Sequence, residues 1–347
     1  MNKSSLRVLV TGGAGFIGSN LVDHLVQKGY EVTAYDNLSR KGARKNAVWL
    51  KEKYGQKFRL ITEDIRNYSV LLKAVDNQDL VYHLAAQVAV TTSIKNPRED
   101  FEINALGTLN VLEAVREVGG DPIVVYGSTN KVYGEMVELR ITESPTRYQY
   151  EDIVNGIPES RPLDFYSPYG CSKGIGDQYF IDYARIYGLK TVVFRQSCIY
   201  GTRQFGNEDQ GWVAHFLISA VLGRPITIYG DGRQLRDVLY MGDLIKAFEM
   251  AVDHIDTTSG QAYNIGGGPE NTISLLELIN YLESKTKRKI KYSFQSWRPG
   301  DQRVYVSNIG KAKRDFGWSP TIAVKDGLDR LFDWVTLNKD LFEFKDE

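Results

Sequence analysis

In Ser167-Pro168-Tyr169-Gly170-Cys171-Ser172-Lys173, a phenol and an ammonium stand at i and i+4. Ser167 reads as the N-cap of a helix and Pro168 as its first position, so Tyr169 and Lys173 share a face. Taken alone, such a pair is ordinary helix surface. It becomes a proton-transfer pair only if the phenol can ionise. A phenol titrates near 10, and lowering it by ~3 units takes roughly 4 kcal/mol of differential stabilisation. A second polar group comes from Val124-Val125-Tyr126-Gly127-Ser128-Thr129, where a buried run ends in hydroxyls. Thr129 at the carboxyl end of a strand could hydrogen-bond a substrate hydroxyl whose proton passes to Tyr169.

The chemistry acquires a cofactor from Thr11-Gly12-Gly13-Ala14-Gly15-Phe16-Ile17-Gly18, which follows an apolar run and opens a helix. Glycines at this spacing permit a tight turn and close approach of backbone to a pyrophosphate, and the helix start offers free N–H groups. Asp36 closes the next strand, where a carboxylate holds ribose hydroxyls and repels a 2′-phosphate. The loop therefore predicts a dinucleotide, NAD rather than NADP, although Arg40 and Lys41 follow closely and could neutralise a phosphate. The positive nicotinamide ring and Lys173 would then share the work of lowering the Tyr169 pKa.

These residues need a scaffold. The short runs Leu6–Val10, Glu31–Tyr35, Phe58–Ile61, Leu80–Leu84, Ile123–Tyr126 and Thr191–Phe194 read as buried strands, and Phe16–Lys28, Tyr68–Val75 and Phe101–Val118 as helices between them. Strict alternation predicts an α/β fold with a doubly wound parallel (Rossmann) sheet. Later periodic stretches, Trp212–Leu222, Gly242–Val252, Ser274–Lys287 and Lys325–Leu337, suggest a smaller α+β lobe. Ser274 and Glu277 have capping-box spacing. The expected division is 1–195 plus about 233–260 for the nucleotide lobe, and about 196–232 plus 261–347 for the substrate lobe. Arg140–Phe165 has no period and reads as a lid or a decorated loop.

Composition bounds the partners. The 347 residues carry 43 Lys+Arg against 43 Asp+Glu, with 42% hydrophobic residues. That excludes a generic nucleic-acid or anionic-membrane surface and a solvated disordered chain. A chain of this length usually divides into two lobes with a cleft between them. No apolar window reaches a membrane span, and the start lacks a signal-peptide pattern, so the expected location is cytoplasmic. Two cysteines without CxxC and four scattered histidines predict no metal site.

The glycine loop, the Leu84-Ala85-Ala86 strand end, Asn104, the Ser128-Thr129 strand end and the Tyr169–Lys173 spacing together resemble the extended short-chain dehydrogenase/reductase family over nearly the whole chain. The resemblance implies catalytic roles for Thr129, Tyr169 and Lys173. It implies NAD contacts from Gly12, Gly15, Phe16, Ile17, Asp36, Asn37, Ser39, Arg40, Asp64, Ile65, Leu84, Ala85, Ala86, Gln87, Asn104, Ser128 and Gln196, besides Tyr169 and Lys173. In the second lobe, Tyr229-Gly230-Asp231-Gly232, Arg236-Asp237-Val238 and Arg298-Pro299-Gly300-Asp301 resemble the base pocket and the two phosphate-binding arginines of family members that act on nucleoside-diphosphate sugars. Planar guanidinium groups suit a diphosphate.

Within the family, dehydratases carry Asp-Glu after the catalytic Thr; here Asn130-Lys131 stands instead, which argues against elimination. Common 4-epimerases carry Asn where this chain has Cys198. Asp36–Gly42, Gln87–Ile94, Ser128–Gly134 and Arg203–Phe205 with Asp209–Val213 resemble members that invert C2 of CDP-linked hexoses. This implies a CDP-sugar or other nucleoside-diphosphate sugar as partner, with Gln87, Thr129, Asn130, Cys198, Arg203, Gln210, Trp212, Val213, Tyr229, Arg236, Arg298 and Asp301 lining its site. A tightly held, recycled NAD and a homodimer or homotetramer are implied as well. The competing readings are a UDP-hexose 4-epimerase, using the same catalytic residues in a differently shaped pocket, and an NAD-binding sensor or scaffold without turnover.

Overall fold

The computed structural model describes residues 6–342; the outermost residues of both expected lobes lie outside them. The first part of the chain runs β1 (Arg7–Thr11), α1 (Phe16–Gln27), β2 (Glu31–Tyr35), α2 (Ala43–Tyr54), β3 (Phe58–Ile61), α3 (Tyr68–Val75) and β4 (Leu80–His83). Short helices α4 (Val90–Lys95) and α5 (Pro97–Phe101), a π-helical step at Glu102–Leu106, α6 (Gly107–Val118) and β5 (Ile123–Thr129) follow. After the hairpin β6 (Ile141–Glu143) and β7 (Tyr148–Tyr150) come α7 (Pro168–Tyr187), β8 (Lys190–Gln196), β9 (Cys198–Tyr200), α8 (Trp212–Leu222), β10 (Ile226–Tyr229) and β11 (Leu235–Tyr240). The remainder includes α9 (Met241–Asp253), α10 (Ile255–Thr258), β12 (Gln261–Ile265), β13 (Thr272–Ser274), α11 (Leu275–Thr286), β14 (Tyr292–Gln295), β15 (Val304–Tyr305), α12 (Gly310–Phe316) and α13 (Val324–Leu337).

Seven parallel strands form the large sheet in the order β12-β8-β5-β4-β1-β2-β3. The order reverses between β1 and β4, so the crevice beyond their carboxyl ends is open to a ligand. Both faces are covered. Leu21, Leu25, Leu244 and Phe248 pack on one, Val111, Leu112, Val115 and Phe180 on the other. This double burial is why the strands read as continuous apolar runs rather than alternating ones.

Two strands lie elsewhere than the expected division put them. β12 was grouped with the smaller lobe, yet it pairs in parallel with β8 as the outer strand of the large sheet. β11 was grouped with the nucleotide lobe, yet it pairs with β9, β13 and β15 in a separate small sheet. Their partners are distant in sequence, and such pairing, not local pattern, decides where a strand goes. The small sheet, α8, α11 and α13 share a second core that includes Leu217, Ile228, Leu278 and Leu331.

Helix Phe101–Val118 is interrupted by the π step, which places Asn104 on the buried side. Arg140–Phe165 is not a free flap. Its hairpin is tied to the second lobe by Tyr148 N–H to the Arg233 carbonyl, the Tyr150 hydroxyl to the Val304 carbonyl, and the Arg147–Glu277 ion pair. Glu277 also completes the capping box with Ser274 at the start of α11. Among the described residues no helix is long and apolar enough to cross a membrane.

Candidate active site

The glycine loop is shaped by contacts as close as van der Waals packing allows. Gly12 adopts φ +69°, and a Cβ there would meet the Ala85 nitrogen at 2.7 Å; one on Gly18 would meet the Gly12 oxygen at 2.0 Å. Gly15 is different. A Cβ there would touch only the Gly12 oxygen, at 3.1 Å, and the residue otherwise borders open space. Gly15 also caps α1 without a side chain, and the first turn holds no acidic residue, which leaves its N–H groups for an outside anion.

That space is a cavity of about 420 Å³ lined by Gly12, Gly15, Phe16, Ile17, Asp36, Asn37, Ser39, Arg40, Asp64, Ile65, Leu84, Ala85, Ala86 and Gln87. Asp36 accepts from Ala14 N–H at 3.0 Å and Leu38 N–H at 2.8 Å, which knots the second strand to the loop. Burial raises its pKa against those bonds. At the far end Asp64 takes the Asn37 amide at 2.9 Å and the Arg66 guanidinium, whose hydrogen bonds hold the carboxyl down at about 2. The fixed donors, the ribose-side carboxylate and the glycine-shaped gap fit a dinucleotide.

A second cavity, of about 350 Å³, shares Phe16, Ile17, Leu84, Ala86 and Gln210 with the first, so the two form one cleft. Ser128, Thr129, Tyr169, Lys173 and Gln196 line the second cavity only, including the four of them expected to touch NAD. The helix start is as expected: Ser167 Oγ accepts from Gly170 N–H at 3.0 Å with Pro168 in the first turn. The Tyr169 N–H donates to Ser93 Oγ at 3.1 Å, which ties α7 to α4. Lys173 Nζ lies 4.2 Å from the centre of the Tyr126 ring. Burial pushes Lys173 down to about 7, against the pull of Asp100 and Asp177.

The phenol does not have the depressed pKa that its role would need. Burial pushes Tyr169 up to about 12; a hydrogen bond with Thr129 and the charge of Arg40 act downward, and Asp100 acts upward. The amide nitrogen of Gln196 is buried without a hydrogen-bond partner among the described residues, a donor facing a site built for something more.

The outer part of the second cavity gathers Asn130, Cys198, Gln210, Trp212, Val213, Tyr229, Arg236, Arg298 and Asp301. The Arg298 guanidinium lies 3.6 Å from the Tyr229 ring centre, and Arg236 pairs with Asp301 at 3.7 Å. Three expected residues fall elsewhere. Arg203 borders the first cavity, its guanidinium between the Trp49 and Trp334 rings at 4.0 and 5.6 Å, so stacking has taken up its planar faces. Gln87 also borders only the first cavity, and its amide is spent on Asp100 at 2.7 Å and the Ala89 carbonyl at 2.9 Å. Asn104 lines neither cavity; it holds Gln87 N–H at 2.8 Å and Ser172 Oγ at 3.2 Å from behind.

Sequence reasoning missed the groups that brace the site. Asp177, two turns beyond Tyr169 on α7, accepts the Ser128 hydroxyl at 2.8 Å and pairs with the buried Arg195 at 2.8 Å. Asp100 accepts Ser172 Oγ at 2.6 Å beside Lys173. Lys131 and Gln302 join the end of β5 to the loop that carries Asp301. For Asp177 the i+8 spacing from Tyr169 was a usable signal, and Lys131 stands in the Asn130-Lys131 pair after Thr129; for Asp100 and Gln302 nothing local marks them.

The family model described as GDP-mannose 4,6 dehydratase matches residues 9–331. The CDP-paratose 2-epimerase of Salmonella typhi is 46% identical over 338 residues, covering 95% of this chain and 99% of that protein. A putative UDP-glucose 4-epimerase of Methanocaldococcus jannaschii is 34% identical over 333 residues, with 95% and 99% covered. Among solved structures, the UDP-glucuronic acid 4-epimerase of Bacillus cereus, in complex with UDP-glucuronic acid and NAD, superposes with a TM-score of 0.82 at 30% identity over 96% of this chain and 99% of that one. A sheet that reverses at β1/β4, a glycine cradle and a Tyr–Lys helix lining the adjoining cavity agree with these likenesses, and the chain belongs to the GDP-mannose 4,6-dehydratase family of extended short-chain dehydrogenases/reductases.

Proposed function

We propose that the protein is an NAD-dependent epimerase that inverts C2 of a nucleoside-diphosphate hexose through a transient 2-keto sugar, with CDP-paratose or a CDP-glucose-type sugar as substrate. The observation that carries the reading is the Thr129–Tyr169–Lys173 set in an arginine-flanked cavity that shares part of its wall with a dinucleotide cradle. The 46% identity to a CDP-paratose 2-epimerase supports C2 and the cytidine nucleotide. Nothing in a Thr–Tyr–Lys set itself selects a ring carbon. A cytoplasmic location is part of the same proposal, in keeping with an activated sugar and NAD as reactants.

Gly12–Gly18, Asp36, Asp64, Ile65, Leu84–Ala86, Ser128, Tyr169, Lys173 and Gln196 would hold NAD. When bound, NAD supplies the hydride acceptor and donor and a positive charge beside the phenol. Tyr169 takes the proton from the C2 hydroxyl as that carbon becomes a ketone, and gives it back when the carbon is reduced on its opposite face. Starting from a phenol at about 12, ionisation near neutral pH needs roughly 7 kcal/mol of help. Thr129 donates to the phenolate, and Lys173 and Arg40 provide positive charge. Arg236 and Arg298 hold the diphosphate while the ring turns over, and Trp212 and Val213 wall the cavity against water.

The test is product NMR after incubation with CDP-paratose, CDP-glucose and UDP-glucose in deuterated water. Inversion at C2 without solvent deuterium on that carbon is expected, from protein that carries NAD(H) through purification. Inversion at C4 with C2 unchanged overturns the assignment. The protein is further proposed to work as a homodimer or homotetramer, with the exposed side of the π step and α7 as contact face.

A further inference from the structure

One cation in the cleft has no part in the chemistry above. Lys131 follows Thr129 in the 3-10 turn Asn130–Tyr133 at the end of β5, and it lines the substrate cavity beside Thr129 and Tyr169. Its ammonium donates to the Gly300 carbonyl at 3.0 Å and to Gln302 Oε1 at 3.4 Å. Both acceptors are neutral, and the third N–H has no acceptor among the described residues. The charged and titratable groups that it feels are Arg236, Asp301, Cys198 and Glu135. Asp301 already pairs with Arg236 at 3.7 Å, so two partly buried cations share one close carboxylate. Burial pushes Lys131 down to about 8. A cation that lines a cavity with one N–H unpaired, and whose neighbour Asp301 is already paired with Arg236, is a site for an anion.

Gln302 fixes the ammonium in place. Only 1% exposed, it accepts from Lys131, takes a longer contact from the Asn130 amide at 3.5 Å and donates to the Gly134 carbonyl at 2.6 Å. The cation is therefore held against the wall that carries Thr129, while Arg298 stands against the Tyr229 ring.

We propose that Lys131 binds the sugar-proximal phosphate of the nucleotide sugar and thereby determines that C2 faces Tyr169. The inference deepens the C2 reading and rests on it. In a pyranose, C2 is bonded to the anomeric carbon that bears the diphosphate, whereas C4 lies across the ring. Presenting C2 to Tyr169 draws that phosphate in toward Thr129, Lys131 and the neighbouring Arg236; presenting C4 leaves it out of reach of Lys131. A compact ammonium near Thr129 suits the first pose and has no anion to meet in the second.

The experiment compares wild-type holoprotein with K131M, K131Q and K131R by calorimetric titration of CDP and CMP, which differ by the phosphate in question. Thermal midpoints report whether each variant is folded. K131M and K131Q are expected to lose about tenfold or more in CDP affinity while CMP stays within about twofold, and K131R is expected to recover most of the loss. Equal losses for CDP and CMP, or no loss for either, overturn the phosphate contact. With the CDP-sugar, K131M at saturating substrate is expected to lose C2 turnover; wild-type kcat there overturns the control of regiochemistry. Wild-type protein that inverts C4 instead defeats the C2 reading and the regiochemical role with it, while the CDP/CMP contrast still decides whether Lys131 holds the phosphate.

Discussion

Tyr169 is a phenol that burial holds neutral, so the groups around it must do more than refine its pKa. Replacing it by Phe keeps the ring in its pocket and removes only the proton acceptor. Turnover of Y169F is expected to fall at least about a hundredfold with NAD retained, checked by steady-state rates and by cofactor content after gel filtration. A second residue ties chemistry to stability. His83 lies at the end of β4, fully buried between Thr11 Oγ1 at 2.8 Å and Thr108 Oγ1 at 2.9 Å, and burial holds it down at about 3. Between that value and the ordinary 6.5 the unfolded chain takes up a proton that the folded chain does not, so stability falls as pH drops through this window. The loss approaches roughly 1.4 kcal/mol per pH unit, and H83Q is expected to remove that part of the slope in urea unfolding between pH 4 and 7. Tyr169, Lys173 and Thr129 were legible because spacing and a strand end mark them. Asp100 and Gln302 were not, because a lone polar residue reads as surface until distant segments bury it.

At the scale of elements, the glycine loop separates two uses of the same residue type. Gly18 has no side chain because Gly12 lies against it, while Gly15 has none because the adjoining space must stay open. G18A is therefore expected to cost stability, seen as a lower thermal midpoint. G15A should leave the midpoint within a few degrees and weaken cofactor retention, read by absorbance of the denatured supernatant. Equal destabilisation by both would mean that Gly15 serves packing alone. The elements themselves were legible where one period ran unbroken: α3, α8, β2 and β3 have the bounds their patterns predict. The π step was not, since its register shift keeps apolar residues at helical spacing. The hairpin within Arg140–Phe165 was missed because three-residue strands carry too little alternation to register.

For the whole molecule, the balance of charges leaves association to apolar surface. Phe101 at the end of α5 and Leu106 in the π step are 52% and 41% exposed, and Tyr179, Ile186 and Tyr187 on the neighbouring α7 are 43%, 62% and 51% exposed. The π step and α7 pack side by side, so these side chains extend over two adjoining elements instead of being scattered singly. A face of paired helices can meet its own copy about a two-fold axis, each α7 covering the partner's π step, which closes the assembly. The face is the back of the site: Tyr169 and Lys173 lie on the buried side of the same helix, and Asp100 from α5 and Asn104 from the π step hold Ser172 between them. Covering it would fix the helix that carries the catalytic pair. Leu106→Asp combined with Tyr179→Asp is expected to give a monomer by sedimentation velocity where the wild type sediments as a dimer or tetramer. Its turnover should fall although neither residue lines the cleft. A wild-type monomer, or a variant that stays assembled, removes this face from the assembly.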